Sequence, residues 1–208
     1  MLFGAPFASL TGNTSTGAAF VFSGLDHSLL LQLNGADPEE GFGSSVSGGT
    51  DVNGDGVPDI VIGAPNPRWP SQPSNGSVTV YSGATGQVIY RWHGGFRNAM
   101  FGETVNSKGD VNGDGYFDVM VGCPLAGNKQ GHGWAGIVYI YSGLDGSVLH
   151  KWRGGTYNEK LGAKVAFAGD LNADGCDDIL LRRLLWSDSK WGIEILSGKD
   201  GSLLYSPT

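Results

Sequence analysis

Cysteine, basic residues and long apolar runs are all scarce in this sequence, and each scarcity excludes a class of protein. Two cysteines, Cys123 and Cys176, are too few for a disulfide framework, and we favour free thiols over a pair. Thirteen Lys and Arg against 20 Asp and Glu give a net charge of -7, whereas a nucleic-acid binder would carry a basic stripe. No apolar run approaches the ~18 residues that span a bilayer, and no basic-then-apolar leader opens the chain. We therefore expect neither a nucleic-acid partner nor a transmembrane segment.

Sustained helical periodicity is also missing, whereas glycine is abundant. Glycine supplies 36 of 208 residues, but no Gly-X-Y period runs through the chain, which excludes collagen. A hydrophobic content of 40% opposes disorder. Short runs of β-branched and aromatic residues, bounded by turn formers, occupy residues 60–62, 78–81 and 137–141. These patterns predict an all-β protein.

The sequence repeats itself about every 60 residues. A Phe-Gly pair at 42–43 returns at 101–102 and as Leu-Gly at 161–162. Gly-Ala-Pro follows the first pair about 20 residues later, Gly-Cys-Pro follows the second, and Ser-Gly follows in all three units. Four short strands fit between these landmarks, and four strands in such a repeat describe one β-propeller blade. A stacked β-helix would use much shorter repeats.

The predicted fold is therefore an all-β propeller of four-stranded antiparallel blades, with about 15 strands and about 3.75 blades in this chain. We expect one propeller region over residues 1–208: an incomplete blade at 1–41 that lacks strand one, and complete blades at 42–100, 101–160 and 161–208. Three explanations of the blade number stay open: a fragment, a small ring that closes alone, or two copies in one ring. We favour a homodimer of about eight blades, because an open array would leave apolar blade faces bare.

Each complete unit contains the same nine-residue element, at residues 51–59, 110–118 and 170–178. Oxygen-bearing side chains stand at its positions 1, 3, 5 and 9, glycine stands at position 6, and position 7 can offer a backbone carbonyl. Hairpin turns alone would explain the glycines but not the oxygens at fixed offsets. Calcium takes about six to eight oxygen ligands and tolerates irregular geometry. The candidate ligands are Asp51, Asn53, Asp55, Val57, Asp59, Asp110, Asn112, Asp114, Tyr116, Asp118, Asp170, Asn172, Asp174, Cys176 and Asp178.

Three calcium ions per chain are thus predicted, and the charge of the loops supports the prediction. Each loop holds three carboxylates at ligand positions, so three ions would bring the formal charge from -7 to about -1. Without a metal the like charges of each loop repel one another. Stability is therefore expected to depend on calcium.

These motifs together resemble the FG-GAP repeats of the integrin α-subunit propeller and of bacterial secreted proteins. The resemblance rests on Phe-Gly at 42–43 and 101–102, the loops at 51–59 and 110–118, and the sequences at 63–65 and 122–124. It implies a calcium-binding propeller, extracellular or at the cell surface, used for adhesion or ligand recognition. The last unit departs from the pattern, with Leu161 in place of Phe and residues 182–184 in place of Gly-Ala-Pro, which suggests an end or an interface.

Recognition is expected on the loops between strands two and three, together with those between blades, because these loops are irregular. Their exposed polar and aromatic residues are the candidates for contact with a protein or carbohydrate ligand: Arg68, Trp69, His132, Trp134 and Trp186. The tryptophans could equally pack between neighbouring blades.

The predicted function is a non-enzymatic, calcium-stabilised extracellular recognition or adhesion module. One alternative is the propeller domain of a polysaccharide-lyase-like enzyme, for which Arg97, His132 and Tyr157 could supply a catalytic cluster. Another is a half-propeller with a purely structural or assembly role. No nucleophile elbow, zinc spacing or phosphate loop favours catalysis.

Overall fold

The computed structural model describes residues 1–9, 15–65, 75–127, 133–185 and 190–206. It confirms the all-β prediction and the expected number of strands. The strands are β1 (Leu2–Ala5), β2 (Ala18–Phe22), β3 (Leu29–Asn34), β4 (Ser45–Thr50), β5 (Asp59–Ala64), β6 (Ser77–Tyr81), β7 (Val88–His93), β8 (Thr104–Gly109), β9 (Asp118–Cys123), β10 (Ile137–Tyr141), β11 (Val148–Arg153), β12 (Lys164–Gly169), β13 (Asp178–Leu185), β14 (Lys190–Leu196) and β15 (Leu203–Tyr205). Within the described ranges, no helix is long and apolar enough to cross a membrane.

The strands form four antiparallel sheets, each built from strands that are consecutive in the sequence. The first sheet contains β1–β3, the second β4–β7, the third β8–β11 and the fourth β12–β15. One three-stranded and three four-stranded meanders confirm a partial propeller of FG-GAP blades. Completion of the ring by a second copy is not shown and stays a prediction.

The hydrophobic core lies between consecutive sheets rather than inside any one of them. Val61 and Val80 of the second sheet pack with Val121 and Tyr141 of the third. Trp92 of the second sheet is partly buried, and its ring stacks on Tyr141 of the third with ring centroids 4.3 Å apart. The second and third sheets therefore each bury one apolar face against the sheet before and the other against the sheet after, as blades of a propeller do.

Consecutive sheets approach most closely where a glycine of one meets the Phe-Gly or Leu-Gly pair of the next. A Cβ on Gly63 would lie 2.2 Å from the carbonyl oxygen of Gly102, so only glycine fits there. The Ser45 hydroxyl donates a hydrogen bond of 2.7 Å to the same oxygen. Gly122 meets Gly162 in the same way at the next junction, again at 2.2 Å. The repeated glycines therefore set the spacing of the blades.

Candidate metal loops and ligand-facing residues

Three loops connect the first two strands of the four-stranded sheets, and each is folded around its first aspartate. Asp51 Oδ1 accepts hydrogen bonds from the backbone N–H groups of Gly54 and Asp55 at 2.7 and 3.1 Å, and its Oδ2 accepts one from Gly56 at 2.6 Å. Asp110 accepts the equivalent three bonds in the second loop. The backbone φ of +85° at Gly56 is in the left-handed region that favours glycine, which explains the glycine at position 6.

The third and fifth positions of each loop face each other on the exposed side. Asn53 Nδ2 donates to Asp55 Oδ2 at 3.0 Å, and the Asp55 N–H donates to Asn53 Oδ1 at 2.9 Å. Equivalent contacts join Asn112 to Asp114 and Asn172 to Asp174. The repeated geometry brings carboxylate and amide oxygens of positions 1, 3 and 5 into one small loop.

The ninth position of each loop lies under the loop and is buried. Asp118 Oδ2 accepts from the Val111 N–H at 2.8 Å, and its Oδ1 accepts from the Gly143 N–H at 3.1 Å. Asp59 and Asp178 make the same pair of contacts in their own sheets. This carboxylate therefore ties the loop between strands one and two to the Ser-Gly turn between strands three and four. The spacing of oxygen-bearing residues predicts a metal ligand at this position but does not reveal this bridging role.

Burial raises the pKa of the Asp118 carboxyl to about 7. The hydrogen bonds from Val111 and Gly143 act in the opposite direction, and the nearby Asp110 and Asp114 carboxylates add to the rise. Burial also raises the pKa of Asp59. The first two loops therefore hold carboxyl groups that are both partly desolvated and repelled by neighbouring carboxylates.

The second position of the first two loops anchors each of them to the following sheet. Val52 and Val111 are fully buried, and a Cβ on Gly198 of the fourth sheet would lie 3.1 Å from Val111 Cβ. The equivalent residue of the last loop, Leu171, is 59% exposed. Any change in the loop conformation is thus transmitted to a junction between sheets.

The donor chemistry of the loops fits calcium better than a transition metal. Each loop offers carboxylate and amide oxygens at positions 1, 3 and 5, and backbone carbonyls at position 7 from Val57, Tyr116 or Cys176. Across the described ranges, no group of three or more His, Cys, Asp and Glu side chains is arranged to hold a metal. The ninth aspartate accepts hydrogen bonds from backbone N–H groups, and the carboxylates of positions 1 and 5 stand in the loop itself. Calcium binding stays a prediction.

Of the five candidate ligand-binding residues, the structure describes only Trp134. Arg68, Trp69, His132 and Trp186 lie outside the described residues. Trp134 is 49% exposed, and Lys160 Nζ lies 5.5 Å from the centroid of a Trp134 ring. Trp134 belongs to the loop between β9 and β10, whereas Lys160 belongs to the connection from β11 to β12. The two kinds of loop predicted to share a binding face therefore meet at this point.

The residues named for a lyase lie on different connections. Arg97 follows β7, and Tyr157 follows β11, where its ring lies against Gly133. The third residue, His132, is not described.

Both cysteines are free and buried, as favoured from the sequence.

A partly buried charged cluster links the connection before β12 to strands β13 and β14 of the fourth sheet, and it was not anticipated. Arg183 Nη1 lies 3.2 Å from Glu159 Oε1, and Arg183 Nη2 lies 2.5 Å from Glu194 Oε1. Glu159 is 4% exposed, and its Oε2 also accepts the N–H groups of Gly155 and Thr156. Arg183 stands within the segment that replaces Gly-Ala-Pro, so the departure at 182–184 was the available signal.

Comparison with known proteins agrees with the geometry. The model of the FG-GAP repeat family matches residues 42–81 and 104–141. The chain is 33% identical over 165 residues to integrin alpha-11 of Homo sapiens, covering 70% of this chain and 13% of the relative. It is 29% identical over 188 residues to integrin alpha-4 of Xenopus laevis, covering 84% and 17%. It is 29% identical over 212 residues to integrin alpha-2 of Bos taurus, covering 89% of this chain and 17% of the relative. The chain thus spans less than a fifth of the length of these relatives.

Proposed function

We propose, from the premise that this chain is an FG-GAP repeat, integrin α-like protein, that it is an extracellular recognition or adhesion module stabilised by three calcium ions. Its similarity to integrin α-subunits over most of its length supports a propeller module of the adhesion type. No relative reported above is named as an enzyme, which is consistent with a non-enzymatic role.

One observation carries the calcium part of the proposal: the same oxygen-rich loop occurs three times, and most of its internal hydrogen bonds recur in all three copies. In each loop the first aspartate orders the backbone, and the exposed oxygens of positions 3 and 5 lie beside it. A cation bound there would relieve the repulsion that contributes to the raised pKa of Asp118. Since the second residue of the first two loops, Val52 or Val111, packs against the next sheet, the gain in loop order there would also strengthen the junctions.

The ligand is proposed to bind where Trp134 and Lys160 meet. An exposed indole with a cation beside it offers an apolar surface and a charge together. Aromatic surfaces of this kind anchor protein ligands and can stack on sugar rings. We therefore propose a protein or carbohydrate ligand on this loop face.

A second copy is the proposed partner for ring completion. Apolar side chains are exposed on both terminal sheets, with Phe3 52% exposed on the first and Ile193 44% exposed on the fourth. Large exposed apolar surfaces mark sites of association. The first sheet of one copy would cover the fourth sheet of the other.

The ligand proposal is tested by screening immobilised extracellular-matrix proteins and polysaccharides with the wild-type chain and the Trp134→Ala variant. We expect binding in calcium, at least about tenfold weaker binding by the variant, and an unchanged melting temperature, because Trp134 is exposed. Equal binding by both proteins would place the ligand elsewhere. Unsaturated products from acidic polysaccharides, seen by ultraviolet absorbance, would instead support the lyase alternative.

A further inference from the structure

The fourth sheet differs from the others at the position where the next sheet approaches most closely. In β5 and β9 this position is Gly63 and Gly122, and a Cβ on either would lie 2.2 Å from a carbonyl oxygen of the following sheet. In β13 the equivalent position is Arg182. The pairing of the second strand with the third in each sheet shows the equivalence: Gly63 with Val78, Gly122 with Val138, and Arg182 with Ile193. An arginine therefore stands where a single extra carbon would collide with a neighbour.

A second contact point is changed in the same way. Gly76 and Gly136 stand two residues before Val78 and Val138, and a Cβ on them would lie 2.3 and 2.2 Å from the carbonyl oxygens of Phe101 and Leu161. Two residues before Ile193 stands Trp191. The largest side chain thus replaces a glycine whose neighbour is the Phe-Gly or Leu-Gly pair of the next sheet.

The third change replaces a short hydroxyl donor by a long charged side chain. Ser45 and Thr104 pair with the junction glycines and donate hydroxyl hydrogen bonds of 2.7 and 2.9 Å to the next sheet. Lys164 pairs with Arg182 in their place. The three substituted positions are adjacent, and Arg182 Cζ lies 4.0 Å from the centroid of a Trp191 ring.

The rest of this face keeps the character of an internal junction. Ile193 and Ile195 stand in the positions of Val78 and Val80, which are fully buried between the second and third sheets. The change is therefore confined to the points that receive the Phe-Gly segment. General loss of the repeat pattern would have altered the apolar positions as well.

We propose that Arg182, Trp191 and Lys164 prevent the fourth sheet from receiving another FG-GAP blade in the register that joins the other sheets. They end the regular blade series at this face. The described first sheet presents no strand in the place of β4, β8 and β12, so a second copy docking through its first sheet does not meet this obstacle. This face therefore fits a partner sheet that brings no Phe-Gly or Leu-Gly pair against Arg182, Trp191 and Lys164.

The proposal is tested by fusing a regular blade to the end of the chain, so that this blade can dock on the fourth sheet of the same molecule. A copy of residues 94–153, which holds a connection, a Phe-Gly pair and four strands, is joined directly after Thr208. Tyr90 pairs with Val80 as Tyr205 pairs with Ile195, so Tyr90 and Tyr205 occupy equivalent positions. Gly94 stands four residues after Tyr90, and the first residue after Thr208 stands four residues after Tyr205. The extension therefore begins in the register of the natural connection. The same extension is added to a variant carrying Lys164→Thr, Arg182→Gly and Trp191→Gly. Limited trypsin digestion and mass measurement then follow the extension and the 21.8 kDa chain before it.

We expect the extension on the wild-type chain to be removed quickly, leaving the 21.8 kDa chain intact. On the triple variant the extension should dock and be cut at least about tenfold more slowly. Resistance of the preceding chain in both proteins reports that the variant has folded. Equal protection of the extension on the wild-type face would overturn the proposal, since a blade would then dock despite the three side chains. Rapid loss from both proteins would also overturn it, because these side chains would not be the obstacle.

Discussion

Replacing Asp118 by alanine should destabilise the protein whether or not calcium is present. The substitution removes the acceptor for two buried N–H groups, those of Val111 and Gly143, which lie 2.8 and 3.1 Å from the carboxylate. A buried donor left without a partner costs about 1–3 kcal/mol. Relief of the desolvation that raises the pKa of Asp118 offsets part of this cost. We therefore expect a loss of about 3 kcal/mol in the free energy of unfolding, a large share of the roughly 5–15 kcal/mol typical of a domain.

The matched control is Asp114→Ala, four residues earlier in the same loop. Asp114 is exposed and accepts hydrogen bonds from Tyr116 and Asn112 on the solvent side. In EDTA its loss should lower the free energy of unfolding by no more than about 0.5 kcal/mol. In calcium the same variant should lose the stabilisation contributed by one ion.

Urea unfolding of both variants, in EDTA and in calcium, separates a structural carboxylate from a metal ligand. Equal and small losses for the two variants in EDTA would refute the bridging role of Asp118. The ninth position would then matter only through the metal, as the sequence analysis supposed.

Two further outcomes follow from the junctions and the thiols. Gly122→Arg should lower the free energy of unfolding by at least about 3 kcal/mol in urea, because even its Cβ would lie 2.2 Å from the Gly162 carbonyl oxygen. Gly155→Ala, which meets open space, should change it by no more than about 0.5 kcal/mol, and similar losses for the two would refute the close approach. Burial raises the pKa of Cys123 to about 12 and also raises that of Cys176, so neither thiol should react with a thiol reagent at neutral pH before unfolding. Rapid reaction of the native protein would contradict their burial.

The repeat made most of the fold accessible from the sequence alone. Each landmark reports a physical requirement that recurs in every unit: Phe101 fills the space between two sheets, and Gly63 and Gly122 admit the backbone of the next sheet. Because the short strands between such landmarks follow one another in the sequence, each of them is expected to pair with the next. Four sheets and fifteen strands could therefore be predicted from a single chain.

The direction of a side chain was less accessible. Asp118 has the right chemistry both for a cation and for two backbone N–H groups, and sequence spacing does not distinguish these uses. The contact of Arg183 with Glu159 joins β13 to the connection before β12 across 24 positions, so the departure at 182–184 marks Arg183 but does not reveal its partner. The meaning of Arg182 and Trp191 likewise emerged only when strand register aligned them with glycines.

Native mass spectrometry of the wild-type chain, with calcium and after chelation, tests the central claim most directly. We expect three calcium ions for each 21.8 kDa chain, two ions in the Asp114→Ala variant, and a lower melting temperature once the ions are removed. A chain that binds no calcium and melts at the same temperature in EDTA would contradict the account. The three loops would then be hairpin turns held together by their own hydrogen bonds.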